Sequence, residues 1–356
     1  MSQYLQRRFT MMNFAKIAAI AAAIPKEQIS VLDLGFDEDT VRRTMKLTGV
    51  EKVRYAPVNR TALDYCLDAA KKILAQGCVY INEINGIIFV TPHPDYVYPG
   101  NGSIIQSELG LSKKCIVFDI NHSCTGMIYG LYLADLLIMT GQCKNVLVCC
   151  GDTASHHLHS GDRALRMVVG DGGVAALVSG GGNVQSQYAF CHDGDGLEWL
   201  YTPAGGERMP ICPGKTDQEI RDAEDNVRTL ENEYMDGMEV MRYVMNEVPA
   251  LIDEVMEKSG WCKEDIDVYA LHQANAFIVK TLQRNMKLPK EKVLYDIDGN
   301  GNIGGGSVAL ALCHAEMNKA LHNKSKVVLA GFGAGMSGAA MSADLSSTKL
   351  FDVCEI

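Results

Sequence analysis

Short apolar runs alternate with longer segments of mixed hydrophobic and polar residues along most of the chain. Residues 84–90, 115–119 and 145–150 are mainly apolar and of strand length, whereas 126–139 is an apolar segment of helix length. Regular alternation of strands and helices is typical of parallel sheets that are covered by helices. The pattern therefore predicts an α/β fold with mostly parallel sheets.

The same order of elements occurs twice, at an offset of roughly 180 residues. The strand and following histidine at 84–93 correspond to those at 266–272. The polar turn at Cys124 and the glycine-rich turn at Asn302 each open a helical segment. Because active sites favour the carboxyl ends of parallel strands, we expect both turns to face one pocket.

This duplication predicts two halves of similar architecture, related by a pseudo-two-fold axis. The boundary is expected near the three glycines at 180–182. The N-terminal half, 12–180, carries the candidate nucleophile, and the C-terminal half, 181–356, carries a candidate histidine and asparagine.

Composition restricts the function classes. The 356 residues are 47% hydrophobic and carry a net charge of −10, so we expect an ordinary globular protein that does not bind nucleic acid. Twelve cysteines without a C-x-x-C pair indicate a reducing cytoplasm and neither a disulfide framework nor a metal site.

The N-terminus permits two interpretations. Arg7 and Arg8 precede an alanine-rich apolar run at 14–24, which has an imperfect likeness to a signal peptide. Lys16 interrupts this run, which is too short to span a bilayer. A buried first strand before Pro25 explains it equally well, and no membrane association is expected.

Cys124 stands out among the cysteines because of its context. It lies in the polar turn N-H-S-C-T-G at 121–126, between two apolar elements. At a helix N-terminus the backbone N–H groups and the helix dipole stabilise a thiolate by about 1–2 kcal/mol, roughly one pKa unit. The Cys124 N–H can also donate to the oxygen of a bound thioester, as half of an oxyanion hole.

Two further polar residues are candidates, although each has a structural alternative. His272 follows an apolar strand in L-H-Q-A-N and is, taken alone, as well explained as a structural histidine. Asn302 lies in G-N-G-N-I-G-G-G-S at 299–307, which alone is typical of a loop. This glycine run lacks the lysine of a P-loop and the spacing of a dinucleotide site.

Together these motifs resemble the β-ketoacyl acyl-carrier-protein synthase III family of the thiolase superfamily, over about 12–345. The match includes the S-C-T-G turn at 123–126, an intact H-Q-A-N at 272–275 and an approximate G-N-T-S at 301–304. The resemblance implies a thiolase-like five-layered αβαβα fold and a homodimer. It implies further that Ala334, in the glycine loop at 331–335, supplies the second oxyanion N–H.

The implied reaction is a decarboxylative Claisen condensation in fatty acid-related or polyketide-like biosynthesis. Cys124 takes an acyl group from acyl-CoA or an acyl-carrier protein, and His272 and Asn302 stabilise the enolate that forms as malonyl-carrier protein loses CO₂. No cofactor is required. By the same resemblance, the substrate contacts are expected at Arg163, Tyr98, Phe332 and His122, with Tyr98 crossing a dimer interface into the partner's acyl pocket.

The sequence departs from the family at its coenzyme A contacts. Arg43, Leu47 and Phe277 stand where Trp, Arg and Arg are expected, while the pair Asp162-Arg163 is retained. These departures favour a specialised acyl group, delivered by a carrier protein, over ordinary acetyl-CoA priming.

A basic helix face is the candidate docking surface for an acidic carrier protein. Lys280, Arg284 and Lys287 fall at i, i+4 and i+7. The alternative is an ordinary solvated helix face. The histidines at 156, 157 and 159 invite a metal interpretation, but without a fixed acidic or cysteine partner they are typical of a surface loop.

Two other functions remain open. The scaffold could transfer the acyl group from Cys124 to an oxygen or nitrogen acceptor, although Asn302 argues for decarboxylation. The chain could also be a non-catalytic subunit that shapes a partner's pocket, although such subunits usually lose the cysteine or histidine.

Overall fold

A computed structural model describes residues 14–356. Within them the α-helices are α1 Glu38–Thr48, α2 Ala62–Ala75, α3 Asn101–Glu108, α4 Gly126–Met139, α5 Arg163–Arg166, α6 Gly237–Ser259, α7 Ala276–Asn285 and α8 Ser307–Met317. The strands are β1 Phe14–Ile24, β2 Ile29–Ser30, β3 Lys52–Val53, β4 Gly86–Val90, β5 Ile116–Ile120, β6 Asn145–Asp152, β7 Gly172–Gly182, β8 Gln187–His192, β9 Leu200–Tyr201, β10 Ile220–Arg221, β11 Val227–Arg228, β12 Tyr234–Met235, β13 Val268–Leu271, β14 Val327–Gly333, β15 Ser337–Ala343, β16 Lys349–Leu350 and β17 Cys354–Glu355.

Two large sheets organise these elements. The first has seven strands in the order β16-β1-β7-β6-β4-β5, with β17 also paired to β1. The second has four strands in the order β13-β14-β15-β8. Both sheets bury most of their side chains, because helices cover both faces of each.

The helices complete five layers. Helices α4 and α8 lie between the two sheets and contact strands of both. Helices α2 and α3 cover the outer face of the first sheet, while α6 covers the outer face of the second and packs on α7. The αβαβα architecture expected from the sequence is therefore confirmed.

Parallel pairing predominates in one sheet only. In the first sheet, β4 pairs in parallel with both β5 and β6, and β1 with both β16 and β17. In the second, only β13 and β14 are parallel. The apolar run at 293–296 forms a single bridge from Val293 to Tyr269, since the Asp296 N–H donates to the Gln273 side chain instead of continuing a ladder.

Close packing of α4 fixes the turn that precedes it. A Cβ on Gly126 would lie 2.5 Å from a methyl of Val90, and one on Gly130 would lie 2.7 Å from a methyl of Val148. Glycine at both positions lets the helix approach strands β4 and β6 more closely than a larger residue allows. The start of α4, and with it Cys124, is thereby held at the carboxyl end of the first sheet.

The chain passes from the first sheet to the second between Gly182 and Gln187. Strands β16 and β17 then return from the C-terminus to β1. The division into halves 12–180 and 181–356 stays a prediction.

The apolar run before Pro25 forms β1, as one interpretation of the N-terminus predicted. The signal-peptide interpretation depended on Arg7 and Arg8, and the N-terminal half was predicted to begin at Met12. These three residues lie outside the described residues. Within residues 14–356 no helix is long and apolar enough to cross a membrane.

Candidate active site

The three candidate catalytic side chains meet at one cavity. Cys124 follows β5, His272 follows β13 directly, and Asn302 precedes α8. All three line a cavity of about 420 Å³, together with Phe332 and Ala334. The two turns that the repeat placed in equivalent units therefore face the same space.

The glycine loop after β14 lies against the cysteine turn. A Cβ on Gly333 would lie 2.5 Å from the Cys124 Sγ, and one on Gly331 would lie 2.6 Å from the Cys124 carbonyl oxygen. Only a residue without a side chain permits this approach, which brings the backbone of Ala334 beside the sulfur.

Burial controls the acidity of Cys124, which is 8% exposed. Burial raises the pKa of its thiol to about 11, and the charges of Glu233 and Asp152 add to this effect. The Ser123 hydroxyl, 3.6 Å from Sγ, and the Ala334 N–H act in the opposite direction. The expectation of a thiolate stabilised by the helix N-terminus is therefore wrong for the unliganded site, because desolvation outweighs it.

Two backbone N–H groups are positioned for an oxyanion. Within residues 14–356 the Cys124 N–H makes no hydrogen bond, and the Ala334 N–H faces the Cys124 sulfur. The Ser337 hydroxyl donates to the Ala334 carbonyl at 2.7 Å and lies 3.0 Å from the Thr125 hydroxyl. This pair braces the glycine loop against the cysteine turn.

The surroundings of His272 set its charge and tautomer. Burial lowers the pKa of His272 to about 4. A hydrogen bond with the Gly304 backbone acts in the opposite direction and raises the pKa. The Ser307 hydroxyl accepts from the Gln273 N–H at 3.2 Å and lies 2.7 Å from His272 Nδ1. Because the Ser307 oxygen already accepts from Gln273, we assign its O–H as the donor and His272 Nδ1 as the acceptor, which leaves a neutral ring with its N–H on Nε2.

Asn302 presents a second neutral donor. Its Oδ1 accepts from the Gly304 N–H at 3.0 Å, which orients the amide so that Nδ2 is free to donate. Its backbone is fixed by hydrogen bonds to Val168 and Gly170. His272 and Asn302 together can stabilise negative charge that develops on an oxygen between them.

The rest of the H-Q-A-N motif is structural. Gln273 Nε2 donates to the carbonyls of Leu271 and Leu294, and its Oε1 accepts from Asp296. Asn275 caps α7 by accepting from the Ile278 N–H. These bonds hold the His272 backbone in place.

The mouth of the cavity contains the predicted contact Arg163, together with Leu47 and Glu224. Leu47 is 57% exposed, so the position where the family has arginine offers an apolar surface. In the retained Asp162-Arg163 motif, the Asp162 carboxylate binds Arg228 at 2.5 Å, and the Arg163 guanidinium donates to the Glu224 carbonyl oxygen. Phe332, another predicted contact, packs edge-on against His272 at 5.2 Å between ring centroids.

Two predicted substrate contacts do not line this cavity. His122 lies behind the cysteine turn, 3.0 Å from the Thr125 hydroxyl and stacked on Tyr129 at 4.4 Å. Tyr98 is 89% exposed on the surface of its own chain.

Sequence reasoning missed four acidic or histidine residues that line the cavity, namely Glu224 at its mouth and His93, Asp152 and Glu233. His93 was identified as the residue that ends the strand equivalent to the one before His272, but only as part of the repeat. His157, interpreted as surface loop, instead stacks on His93 at 3.9 Å between ring centroids. Burial lowers the pKa of His157 to about 4, and the neighbouring His93 contributes.

Within residues 14–356 no cluster of three or more His, Cys, Asp or Glu side chains is arranged to hold a metal ion.

Comparison with known proteins gives a consistent result. Residues 118–194 match the family described as 3-oxoacyl-[acyl-carrier-protein] synthase III, and 256–344 match its C-terminal region. Cys124 falls in the first segment, and His272, Asn302 and Ala334 fall in the second.

Individual relatives cover nearly the whole chain. A β-ketoacyl-[acyl-carrier-protein] synthase III from Caldanaerobacter subterraneus subsp. tengcongensis is 33% identical over 91% of this chain and 96% of its own. The corresponding protein of Syntrophomonas wolfei is 31% identical over 90% and 95%. A crystal structure of a 3-oxoacyl-(acyl-carrier protein) synthase from Burkholderia xenovorans LB400 superimposes with a TM-score of 0.89, at 29% identity over 97% and 98% of the two chains.

Proposed function

The chain belongs to the 3-oxoacyl-[acyl-carrier-protein] synthase III family of condensing enzymes, and from that premise we propose that Cys124, His272 and Asn302 carry out its reaction. The resemblance inferred from the motifs is confirmed, as is the assignment to the acyltransferases. The observation that carries the residue assignment is the single cavity that all three side chains line.

The first stage transfers an acyl group to Cys124. The sulfur attacks the carbonyl carbon of an acyl thioester, the new thioester forms, and the donor thiol leaves with the proton that Cys124 gives up. The N–H groups of Cys124 and Ala334 donate to the oxyanion, each worth about 3–4 kcal/mol in comparable sites. Such donors favour the transition state over the buried neutral thiol.

The second stage uses the two neutral donors. A malonyl thioester places its carbonyl oxygen between His272 Nε2–H and Asn302 Nδ2–H, the carboxylate leaves as CO₂, and the enolate is stabilised. Its carbon attacks the acyl-cysteine, a carbon–carbon bond forms, and the Cys124 sulfur is released. Since His272 is already neutral, this stage calls for no metal and no redox cofactor.

Acyl-CoA or an acyl-carrier protein is the proposed donor, and malonyl-carrier protein the proposed extender. Arg163 at the mouth is positioned for a phosphate of the incoming arm. Tyr98, exposed on its own chain, is available to enter the pocket of a second copy, as a homodimer requires.

Condensation is the better supported of the possible acyl transfers. Transfer to an oxygen or nitrogen acceptor makes no use of the two neutral donors, His272 and Asn302, that stabilise the enolate of a decarboxylation. A non-catalytic role does not explain why Cys124 is buried in the cavity, or why its N–H makes no hydrogen bond within residues 14–356.

An acylation experiment tests the assignment. The protein is incubated with acyl-CoA and acyl-carrier protein donors of several chain lengths, and its intact mass is measured, with Cys124→Ala in parallel. We expect one acyl adduct on the wild type and none on Cys124→Ala. Absence of an adduct with every donor, or an adduct retained by Cys124→Ala, contradicts the assignment.

A further inference from the structure

Besides Glu224 at the mouth, three acidic or histidine side chains line the cavity of Cys124 without a part in the two stages above. They are His93, Asp152 and Glu233, contributed by the segments after β4, at the end of β6 and before β12. Since alkyl chains bind in apolar pockets, carboxylates here require another explanation.

Asp152 lies close to the nucleophile. Its Oδ1 is 2.8 Å from His93 Nδ1. A Cβ on Gly304 would lie 3.2 Å from its Oδ2 and 3.5 Å from the hydroxyl of Ser123, the residue before Cys124. With a residue exposure of only 4%, Asp152 has little access to bulk water.

Glu233 lacks a partner of its own. Within residues 14–356 its carboxyl group forms neither a hydrogen bond nor a salt bridge, although it lines the cavity. Burial raises its pKa to about 7, as does the charge of Asp152. Glu233 is half-buried, so water can hydrate its carboxyl group until a ligand fills the cavity.

These carboxylates do not serve to activate the thiol. Glu233 and Asp152 raise the pKa of Cys124, which is the opposite of the effect that a nucleophile needs. The same interaction shows that both lie within electrostatic range of the sulfur. Cys124, Asp152 and Glu233 also line the same cavity of about 420 Å³, so an acyl group on Cys124 shares this space with both carboxylates.

We propose that the inner cavity selects a short acyl group that carries a hydrogen-bond donor, a hydroxyl or an amino group, which Glu233 accepts beside the His93–Asp152 pair. This inference rests on the proposed role of Cys124. A plain alkyl end would cover Glu233 without replacing the water that hydrates it, so such acyl groups bind more weakly.

Three donors that match atom for atom test the inference. Butyryl, 3-hydroxypropionyl and 3-aminopropionyl groups differ only in a terminal methyl, hydroxyl or ammonium group. Each is supplied as a pantetheine thioester, which carries the arm shared by coenzyme A and carrier proteins. The rate of acylation of Cys124 is followed by intact mass.

We expect the wild type to react at least about tenfold faster with a polar donor than with the butyryl donor. Glu233→Leu reverses this preference, whereas Glu233→Gln keeps the response to hydroxyl and loses that to ammonium. Glu224→Gln, which removes a carboxylate at the mouth of the same cavity, leaves the preference unchanged.

Equal or faster acylation by the butyryl donor overturns the inference and leaves the role of Cys124 intact. A preference that survives in Glu233→Leu also overturns it. No adduct with any of the three donors, from protein that is acylated by longer acyl-CoA or acyl-carrier protein donors, overturns the inference alone; the proposed function fails only if those donors give no adduct either.

Discussion

The Cys124 thiol is predominantly protonated in the unliganded site. Its pKa is raised to about 11, first by burial and then by Glu233 and Asp152, so the thiolate fraction at neutral pH is small. Attack on the bound thioester must therefore be favoured by the oxyanion N–H groups of Cys124 and Ala334, which stabilise the negative charge that develops on the carbonyl oxygen.

Alkylation with iodoacetamide measures this acidity. Because only the thiolate reacts, the rate at Cys124 should rise about tenfold per pH unit from pH 7 to 9, and Glu233→Gln should shift the profile to lower pH. The exposed Cys262, measured on its own peptide, provides an internal comparison. A rate at Cys124 that is already constant above pH 8 contradicts the raised pKa.

His272 should act without titrating in the working range. Its pKa is lowered to about 4, so the ring stays neutral as pH falls from 8 to 5 and its donor is retained. The rate of malonyl thioester decarboxylation should therefore not fall through protonation of His272 between pH 8 and pH 5.

Replacing the histidine separates the two stages. His272→Ala should lower the rate of decarboxylation by about 10²–10³, while acylation of Cys124 changes far less. Ser307→Ala is the companion variant, since it removes the hydroxyl that fixes the tautomer. Equal losses in acylation and decarboxylation would argue against the separate role.

The residues of the three sequence motifs could be predicted because the reaction proposed for this chain requires particular side chains. Cys124, His272 and Asn302 were predicted in this way, and all three line one cavity, although their catalytic roles stay a proposal. Glu233 was not predicted, since it reaches the cavity only through the path of the segment between β11 and β12. The acidity of Cys124 was also misjudged, because sequence gives the helix start but not the depth of burial.

At the scale of elements, the loop from β14 to β15 closes the site on the cysteine turn. Gly333 provides a direct test, because a Cβ there would lie 2.5 Å from the Cys124 Sγ. Gly333→Ala should displace the loop and reduce the acylation rate by about 10²-fold or more, as loss of an oxyanion donor does.

Gly206→Ala is the control, because a Cβ at that position meets nothing within 4 Å. Both variants should be compared by thermal unfolding, so that lost activity is separated from lost fold. A Gly333→Ala protein that acylates at the wild-type rate would show that this approach is not required.

The order of elements was largely readable from the hydrophobic pattern. Helix α4 begins at Gly126 and ends at Met139, as the apolar segment predicted. The antiparallel pairs β14–β15 and β15–β8 were not foreseen, because an apolar run of strand length carries no information about the direction of its neighbour.

For the whole molecule, the basic face of α7 is the proposed docking surface for a carrier protein. Lys280 and Arg284 lie on α7, whereas Lys287 follows its end at Asn285 with a left-handed φ of 57°, so the i+7 position predicted for Lys287 on the helix is wrong. All three side chains are exposed, and none forms a salt bridge within residues 14–356. Asn275 and Ile278, at the start of the same helix, line the cavity. A carrier held on this face is therefore close to the mouth.

Charge reversal tests the docking surface. Arg284→Glu should raise KM for malonyl-carrier protein about five- to tenfold at low salt, with little change for a malonyl-pantetheine substrate. The effect should diminish as ionic strength rises. Lys71→Glu, an exposed charge on α2, is the matched control. An equal effect on both substrates would place the role of Arg284 elsewhere.

The central claim is that one acyl-cysteine is consumed by a decarboxylating malonyl unit. Acylated protein, freed of excess donor, is mixed with malonyl-carrier protein that is isotopically labelled in its free carboxyl group. We predict one labelled CO₂ for each 3-oxoacyl thioester formed, with loss of the Cys124 adduct at the same rate. An adduct that persists while CO₂ is released, or a product that keeps the label, would contradict the account.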